Sequence, residues 1–581
     1  MPFYAPRPLS AALCLAVLAA GGALSVPTRT MAQTVGPSVA PLRPGDERPA
    51  LPGFTGGAPA LALPPPPAAT RPPAIGAGPL FTLTGVTLTG STVLTQDEVR
   101  AAAAPYLGRA VGAGELDGLR RALTALYVQR GHVNSGIVLP DQTITDGIVT
   151  FQAVEGRLDT VTVNGLSRLP PDYIARRVEP AAGPPLDVAQ VRDRIEILLE
   201  DPLIERLDAR LGPGPAPGSG TLDMTVEEAP LLGGTLTLSN ERSPAVGGLV
   251  ARGDGVIRNV TGWGDLTTLR LARAQGLTNT AAGIELPVTA GDTRLRLSVD
   301  HQRSRIVEAP YSSLDITART TTVEAGVSQP LYRTGRETVA VGLSLARRFS
   351  ENWLLGERFA FSPESDDGVT RFTVLRLSQD WTRRGDTTVW AARSVWSLGV
   401  PLFGNTRRPG TPDGRFSAWL GQAQVAHRFG DATGAGGAEA IFRTDAQFAN
   451  GPLPAIEQYA VGGMASVRGY RENLLTGDNA VVSSVEVRLP IAHMALDAES
   501  AGTVRLALFA DYGRSFNSGR ETTGPGWIAS AGTGLLWAPT GWVQTALYYG
   551  HGFRRVEVPG RRDMQDRGVH FRLTVTPPST L

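Results

Sequence analysis

The stretch VRLALFADYG, residues 504–513, carries the pattern on which the reading of the whole chain turns. Successive side chains of a strand point to opposite sides, so Val504, Leu506, Leu508, Ala510 and Tyr512 share one face, and Arg505, Ala507, Phe509 and Asp511 share the other. The first face has no charge, while the second carries both an arginine and an aspartate. VHFRLTV, residues 569–575, repeats the division, with Val569, Phe571, Leu573 and Val575 opposite His570, Arg572 and Thr574. A soluble sandwich would also alternate, but charge on the inner face and hydrocarbon on the outer is the arrangement of a strand between lipid and a wet lumen.

Outward from this stretch, helical periodicity is missing from about Leu231 onward, and alternating segments recur between glycine, proline and aspartate turns. The expected strand cores are 234–241, 249–258, 265–274, 280–287, 292–302, 319–329, 336–348, 370–382, 387–398, 416–428, 438–449, 480–490, 503–512, 527–537, 541–550 and 568–576. These sixteen segments suit an antiparallel closed β-barrel in a membrane, spanning residues 231–581. No segment has about 18 consecutive apolar residues, so helical spanning is excluded. The mean hydropathy of -0.05 fits strands that are apolar on one side only.

The chain begins with Arg7, an apolar run from Ala11 to Leu24 and the small-residue end Thr30-Met31-Ala32, which reads as a secretory signal over residues 1–32. Cys14, the single cysteine, lies inside it, so the mature chain is expected to have neither disulfides nor thiol chemistry. Residues 33–78, with PLRPGDERPALPG and LALPPPPAATRPPAIG, read as an extended periplasmic linker.

Between linker and barrel the pattern becomes α/β. FTLTGVTLTG has a strand pair's worth of alternation, and Thr95 with Glu98 forms a capping box before EVRAAAAPYL. LDGLRRALTALYVQRG places Leu116, Leu119, Leu123 and Leu126 on one helical face, and GIVTFQAVEGRL closes the unit as a strand. A second unit of the same order follows in residues 159–230: LDTVTVNG, PDYIARRVEPA, VAQVRDRIEILLEDP and GTLDMTVEEAP. The expectation is a tandem repeat of two small α/β domains, 79–158 and 159–230.

Much chemistry is excluded. All 55 basic residues are arginine, against 54 acidic ones, which removes Walker loops and Schiff bases and argues against a nucleic-acid partner. The nearest approach to a nucleophile elbow, GLSLA at 342–346, lies in a strand pattern and lacks the last glycine. The histidines His132, His301, His427, His493, His551 and His570 never fall at metal-ligand spacing. RGD at 252–254 is a chance match in a chain rich in arginine and glycine. No catalytic residue, cofactor or metal is expected.

One feature is left: AVGGMASVRGYRE, residues 460–472, in a segment from Gly451 to Asn479 between the eleventh and twelfth strands. That is long for a turn and long enough to be functional, although external barrel loops of this length also occur. VRGY, Val467 to Tyr470, resembles the signature of the outer-membrane protein-translocating barrels, which include the two-partner secretion transporters of the ShlB/FhaC/HecB hemolysin secretion/activation type and the assembly factors of outer-membrane proteins. FADYG at 509–513 is similar to the family's motif on the thirteenth strand, and GWGDL at 262–266 to an early barrel turn. YVQRGHVNSGIVLPDQTITDGIVTFQAVEGRL, residues 127–158, is similar to the end of the first POTRA domain of the secretion transporters.

The resemblance implies a pore that secretes, and in some cases activates, an unfolded exoprotein such as a hemolysin or adhesin. Two POTRA domains would capture that client in the periplasm. Loop 450–479 would fold into the lumen with Arg468 paired to Asp511, and Val467, Gly469, Tyr470 and Phe509 complete the two motifs. Glu486, inward-facing beside Arg488, is a second partner by parity. Further expected partners are outer-membrane lipid and the barrel-assembly machinery that inserts the protein. The alternatives are an assembly factor, which typically carries more POTRA units, and a passive porin, which carries none. This sequence departs from the family in two places: residues 33–78 are too proline-rich for the pore-plugging helix that members often have, and the last strand runs into TVTPPSTL, so its assembly signal is either centred on Phe571 or atypical.

Overall fold

The computed structural model describes residues 48–54, 61–62, 80–362, 364–406, 414–430, 437–497, 502–522, 524–556 and 563–578. The expected signal segment, and most of the proline-rich stretch where a plug helix would fall, lie outside them.

In the first α/β unit, β1 (Gly85–Thr89), α1 (Gln96–Ala103), α2 (Ala113–Gln129), β2 (Gly136–Val138) and β3 (Ile148–Val154) follow in order. The Glu98 carboxylate accepts from the Thr95 N–H at 2.9 Å while the Thr95 hydroxyl accepts from the Glu98 N–H at 3.4 Å, so two otherwise orphaned donors start α1. Helix α2 buries Leu116, Leu119, Leu123 and Tyr127 in one core with Val149 and Phe151 of β3. The two halves of FTLTGVTLTG do not pair with each other. Phe81–Thr82 joins Ala110–Val111, and β1 runs parallel to β3.

The second unit has β4 (Arg157–Asn164), α3 (Pro171–Val178), α4 (Val188–Leu199), β5 (Ile204–Pro213) and β6 (Ser219–Glu228). Strand β5 pairs antiparallel with β6, which runs parallel to β4, and the short strand Leu61–Ala62 adds to the free edge of β5. Strands β2 and β5 are absent from the sequence reading. The first has three residues, and the second contains a register shift between Ile204 and Arg206 that breaks its alternation.

The rest closes into an antiparallel barrel of sixteen principal strands: β7 (Leu232–Ser239), β8 (Val250–Arg258), β9 (Leu266–Ala274), β10 (Leu277–Pro287), β11 (Arg294–Arg305), β12 (Thr317–Arg333), β13 (Glu337–Leu354), β14 (Val369–Arg384), β15 (Thr388–Val400), β16 (Ser417–Phe429), β17 (Ala438–Ala449), β18 (Asn479–His493), β19 (Thr503–Phe516), β20 (Trp527–Thr540), β21 (Val543–Gly552) and β22 (Val569–Val575). A two-residue piece, Glu357–Arg358, extends the β13–β14 hairpin. The closing seam pairs β7 with β22 from Leu236–Val575 to Ser239–Arg572. Alternation marks the wall, with Leu236, Leu271, Leu297, Leu508 and Leu547 exposed on the outer face and Glu486, Asp511 and His570 buried on the inner one, and it is interrupted by register shifts at Pro330/Tyr332, Pro490/Ala492 and Trp537/Thr540.

The second α/β unit sits against the turns at one barrel end. Arg177 of α3 donates to Asp292 at 3.0 Å, Asp292 also takes Arg333, and the Gly335 N–H donates to Asp193 at 2.7 Å. In the GWGDL turn, buried Asp265 accepts from the Thr261 N–H at 2.7 Å, and the Asn259 side chain donates to the Arg168 carbonyl at 2.9 Å. Residues 48–54 do not run free of the barrel as a linker would. Leu51 and Phe54 pack on Val389, Ala426 and Ile441, and Arg48 donates to Asp445 at 2.8 Å, all four on the inner wall.

Candidate functional site: the lumenal loop and its anchors

The chain between β17 and β18 folds back into the barrel. Tyr459–Val461 pairs with Leu475–Gly477, and this ribbon carries Tyr459, Val461, Val467, Tyr470 and Leu475 into one apolar cluster with Ala480, Val482 and Ile528 of the wall. Two glycines make the approach feasible. Gly469 has φ +88°, and a Cβ there would lie 2.8 Å from the Gly550 carbonyl carbon, while a Cβ on Gly513 would lie 2.4 Å from Val461.

Arg468 is 4% exposed, and its main-chain N–H and all its guanidinium nitrogens meet the wall. Its Nε donates to Asp511 Oδ2 and its Nη2 to Asp511 Oδ1, each at 2.8 Å, a bidentate fork that a planar guanidinium is shaped for. The Arg468 main-chain N–H donates to the same carboxylate at 2.9 Å. Nη2 also donates to the Ser484 hydroxyl at 3.1 Å, and Nη1 pairs with Glu486. The register explains the convergence: Ser484 lies opposite Asp511, and Glu486 opposite Phe509, on neighbouring strands β18 and β19. The guanidinium carbon sits 3.7 Å from the Phe509 ring centroid and 4.9 Å from that of Tyr548, so the cation has a π face beneath it as well.

Glu486 is shared, taking Arg488 at 2.6 Å and the Tyr548 hydroxyl at 3.2 Å. The next residues bind further round the barrel. The Gly469 N–H donates to His570 Nε2 at 3.0 Å, and the Tyr470 hydroxyl lies 3.0 Å from the Ala529 carbonyl and accepts from the Arg554 N–H at 3.0 Å. Arg471 pairs with Glu308 at 2.7 Å and with Asp566.

The structure therefore brings together Val467, Arg468, Gly469, Tyr470, Asp511, Phe509 and Glu486, all the residues singled out from the sequence. It adds Ser484, Tyr548, His570, Arg471 and Asp566, which sequence reasoning did not name as partners. Strand parity alone puts Tyr548 and His570 on the inner face. Only the stagger between strands brings them level with the loop.

Residues 218–536 match the haemolysin secretion/activation protein family ShlB/FhaC/HecB, and residues 81–156 match the ShlB-type POTRA domain. The chain belongs to the ShlB/FhaC/HecB family. It is an outer-membrane transporter of two-partner secretion, with an exoprotein partner and with POTRA units that stand in the periplasm. Among its relatives, the outer membrane transporter CdiB of Dickeya dadantii is 24% identical over 411 residues, 69% of this chain and 71% of the relative. An Escherichia coli CdiB is 25% identical over 473 residues, 78% of this chain and 76% of the relative. The solved structure of CdiB from Escherichia coli superposes with a TM-score of 0.65 at 22% identity, covering 88% of this chain and 93% of that one. BamA from Haemophilus ducreyi lacking POTRA domains 1–3 shares the fold at a TM-score of 0.50 and 14% identity, over 85% of this chain and 100% of that one.

Proposed function

We propose that loop 450–479 of this ShlB/FhaC/HecB-family transporter is a lumenal latch pinned by Arg468, and that the exoprotein passes the pore when the latch lets go. The bidentate Arg468–Asp511 pair, reinforced by Glu486 inside a barrel whose lumen must admit a polypeptide, carries this reading. An arginine taken out of water needs carboxylates, and removing one partner of a buried pair costs about 3 to 5 kcal/mol, less where water reaches it. Such a pair holds a loop without making the hold irreversible.

In the same reading, residues 79–158 and 159–230 are two POTRA domains that capture the unfolded client. Strand edges accept an added strand through main-chain hydrogen bonds, which tolerates varied client sequences. Outer-membrane lipid covers the exposed leucine belt of the barrel, and the barrel-assembly machinery inserts it. The client is a large exoprotein of the hemolysin or adhesin kind, and its folding outside supplies direction without nucleotide. The protein acts as a pore and performs no catalysis.

Arg468→Ala tests the latch. Export of the exoprotein in cells should fall at least about tenfold, the equivalent of 1.4 kcal/mol, while the barrel still inserts and keeps its heat-modifiable electrophoretic mobility. Normal export by that variant removes the latch. Deleting residues 79–158 should abolish capture of the client by the purified transporter, and unchanged capture would sink the POTRA assignment.

A further inference from the structure

His570 has no part in the reading above, yet it touches the loop at its tip. It lies on the inner face of β22, the strand that closes the barrel, and is 0% exposed. Its Nε2 stands 3.0 Å from the Gly469 main-chain nitrogen. A peptide N–H can only donate, so Nε2 must hold a lone pair: the ring is neutral and its proton is on Nδ1. That Nδ1 is buried and has no hydrogen-bond partner among the described residues. A buried orphan donor is a cost, and native structures keep few of them without a reason.

The surroundings define what protonation would do. Two charged groups act electrostatically on the ring, the Arg468 guanidinium of the loop and the Asp511 carboxylate of β19. Across β21 its register partner is Tyr548, whose phenol is turned to Glu486. On the β7 side, Asn240 bonds the main chain of Val569 and Phe571, and Glu241 takes Arg572. A second proton would turn the acceptor into a donor facing a donor and set a new positive charge beside Arg468. Asp511, the carboxylate within electrostatic reach of the ring, already accepts from Arg468 with both oxygens.

We propose that His570 is a positioning residue, a neutral-only acceptor that ties the tip of loop 450–479 to the barrel's closing strand and releases it on protonation. The proposal rests on the latch reading of the loop, and the experiment separates the two. Ala465 is an exposed loop residue and Cys14 the sole cysteine, in the segment read as a removed signal, so Ala465→Cys gives one site for a nitroxide label on the mature, refolded transporter.

Electron paramagnetic resonance lineshapes are recorded from about pH 8 to about pH 3, a range that starts above the value of an ordinary histidine and runs well below it, as burial requires. With His570 intact, the mobile component should grow reversibly as pH falls, by up to about tenfold per pH unit above the ring's titration point, and level off below it. His570→Gln keeps an acceptor, cannot titrate and retains every carboxylate of the site, so its label should stay immobile over the same range. His570→Phe, which cannot accept, should be mobile at every pH. If the His570→Gln label titrates as the parent does, or if folded His570→Phe is immobile near neutrality, the proposal is overturned. Should His570→Phe fail to fold, as heat-modifiability would show, the comparison of parent with His570→Gln decides alone. Normal export by Arg468→Ala alongside the expected titration would remove the latch and leave the His570 contact standing.

Discussion

At the scale of single residues, the two carboxylates that hold Arg468 are not equivalent. Asp511 accepts three hydrogen bonds from Arg468, including one from its main chain, while Glu486 divides itself among Arg468, Arg488 and Tyr548. Asp511→Asn removes the charge that faces the fork and leaves the cation with a shared partner. Glu486→Gln leaves the fork intact. Export should therefore fall further for Asp511→Asn, and the reverse order in a secretion assay would mean that the fork is not what holds the loop. Arg468 and Asp511 could be read from the sequence because they stand in the two family-like motifs, and Glu486 because strand parity turns it inward beside Arg488. Ser484, Tyr548 and His570 could not, since their meeting depends on strand stagger, which a single sequence does not encode locally.

Glu228, at the end of β6, makes a different kind of anchor. Burial works to raise its pKa, but the amides of Leu169, Arg168 and Ser167 and the Arg168 guanidinium overcome this and hold it at about 2. A carboxyl depressed in the folded state contributes stability that is present above its ordinary value and lost as pH falls through the folded one. The second α/β unit should therefore lose stability between about pH 4.5 and about pH 2, and Glu228→Gln should flatten that acid limb in thermal melts of the full chain followed by helical circular dichroism. An unchanged limb would mean that other carboxylates set it.

At the scale of elements, the loop depends on backbone conformation as much as on charge. Gly469→Ala would place an L side chain at φ +88°, at a cost of about 1 to 2 kcal/mol, and push a methyl group into Gly550. The tip should leave the wall although Arg468 and both carboxylates remain, and trypsin should cut after Arg468 faster than in the parent. Equal cutting rates would show that side-chain pairs alone fix the loop. The same scale explains which elements the sequence revealed. Barrel strands announce themselves because lipid and lumen impose opposite demands on alternate residues, and the helices because Leu116, Leu119 and Leu123 repeat at three and four. Strand β5 has no such uniform demand: with its register shift, Ile204 and Leu207 both point inward at a spacing of three. Residues 48–54 offer no period at all, so their place against Asp445, Gln424 and Ile441 inside the barrel follows from tertiary contacts only.

At the scale of the whole molecule, the question is what keeps the second α/β unit fixed against a barrel through which a polypeptide must pass. Asp292, in the turn between β10 and β11, is the shared counter-ion. Arg177 of α3 donates to it at 3.0 and 3.3 Å, Arg333 from the end of β12 pairs with it, and the Arg177 guanidinium lies 3.7 Å from the Tyr173 ring centroid. Tyr173 in turn donates to Asp201 at 2.7 Å, and Glu200 beside it takes Arg333 and Arg384 from two barrel turns. These charges are largely out of water, so losing the carboxylate at the centre takes the ionic partner from Arg177 and leaves Arg333 with Glu200 alone. Asp292→Asn should loosen the unit as a body. Hydrogen exchange of α3 and α4 should quicken, while the strands β14 to β19, which make none of these contacts in their interiors, keep their protection. If α3 and α4 stay as protected as in the parent, the unit is held by its apolar contacts with the barrel, such as Leu266 within its core cluster, and the ionic bracket orients it without securing it.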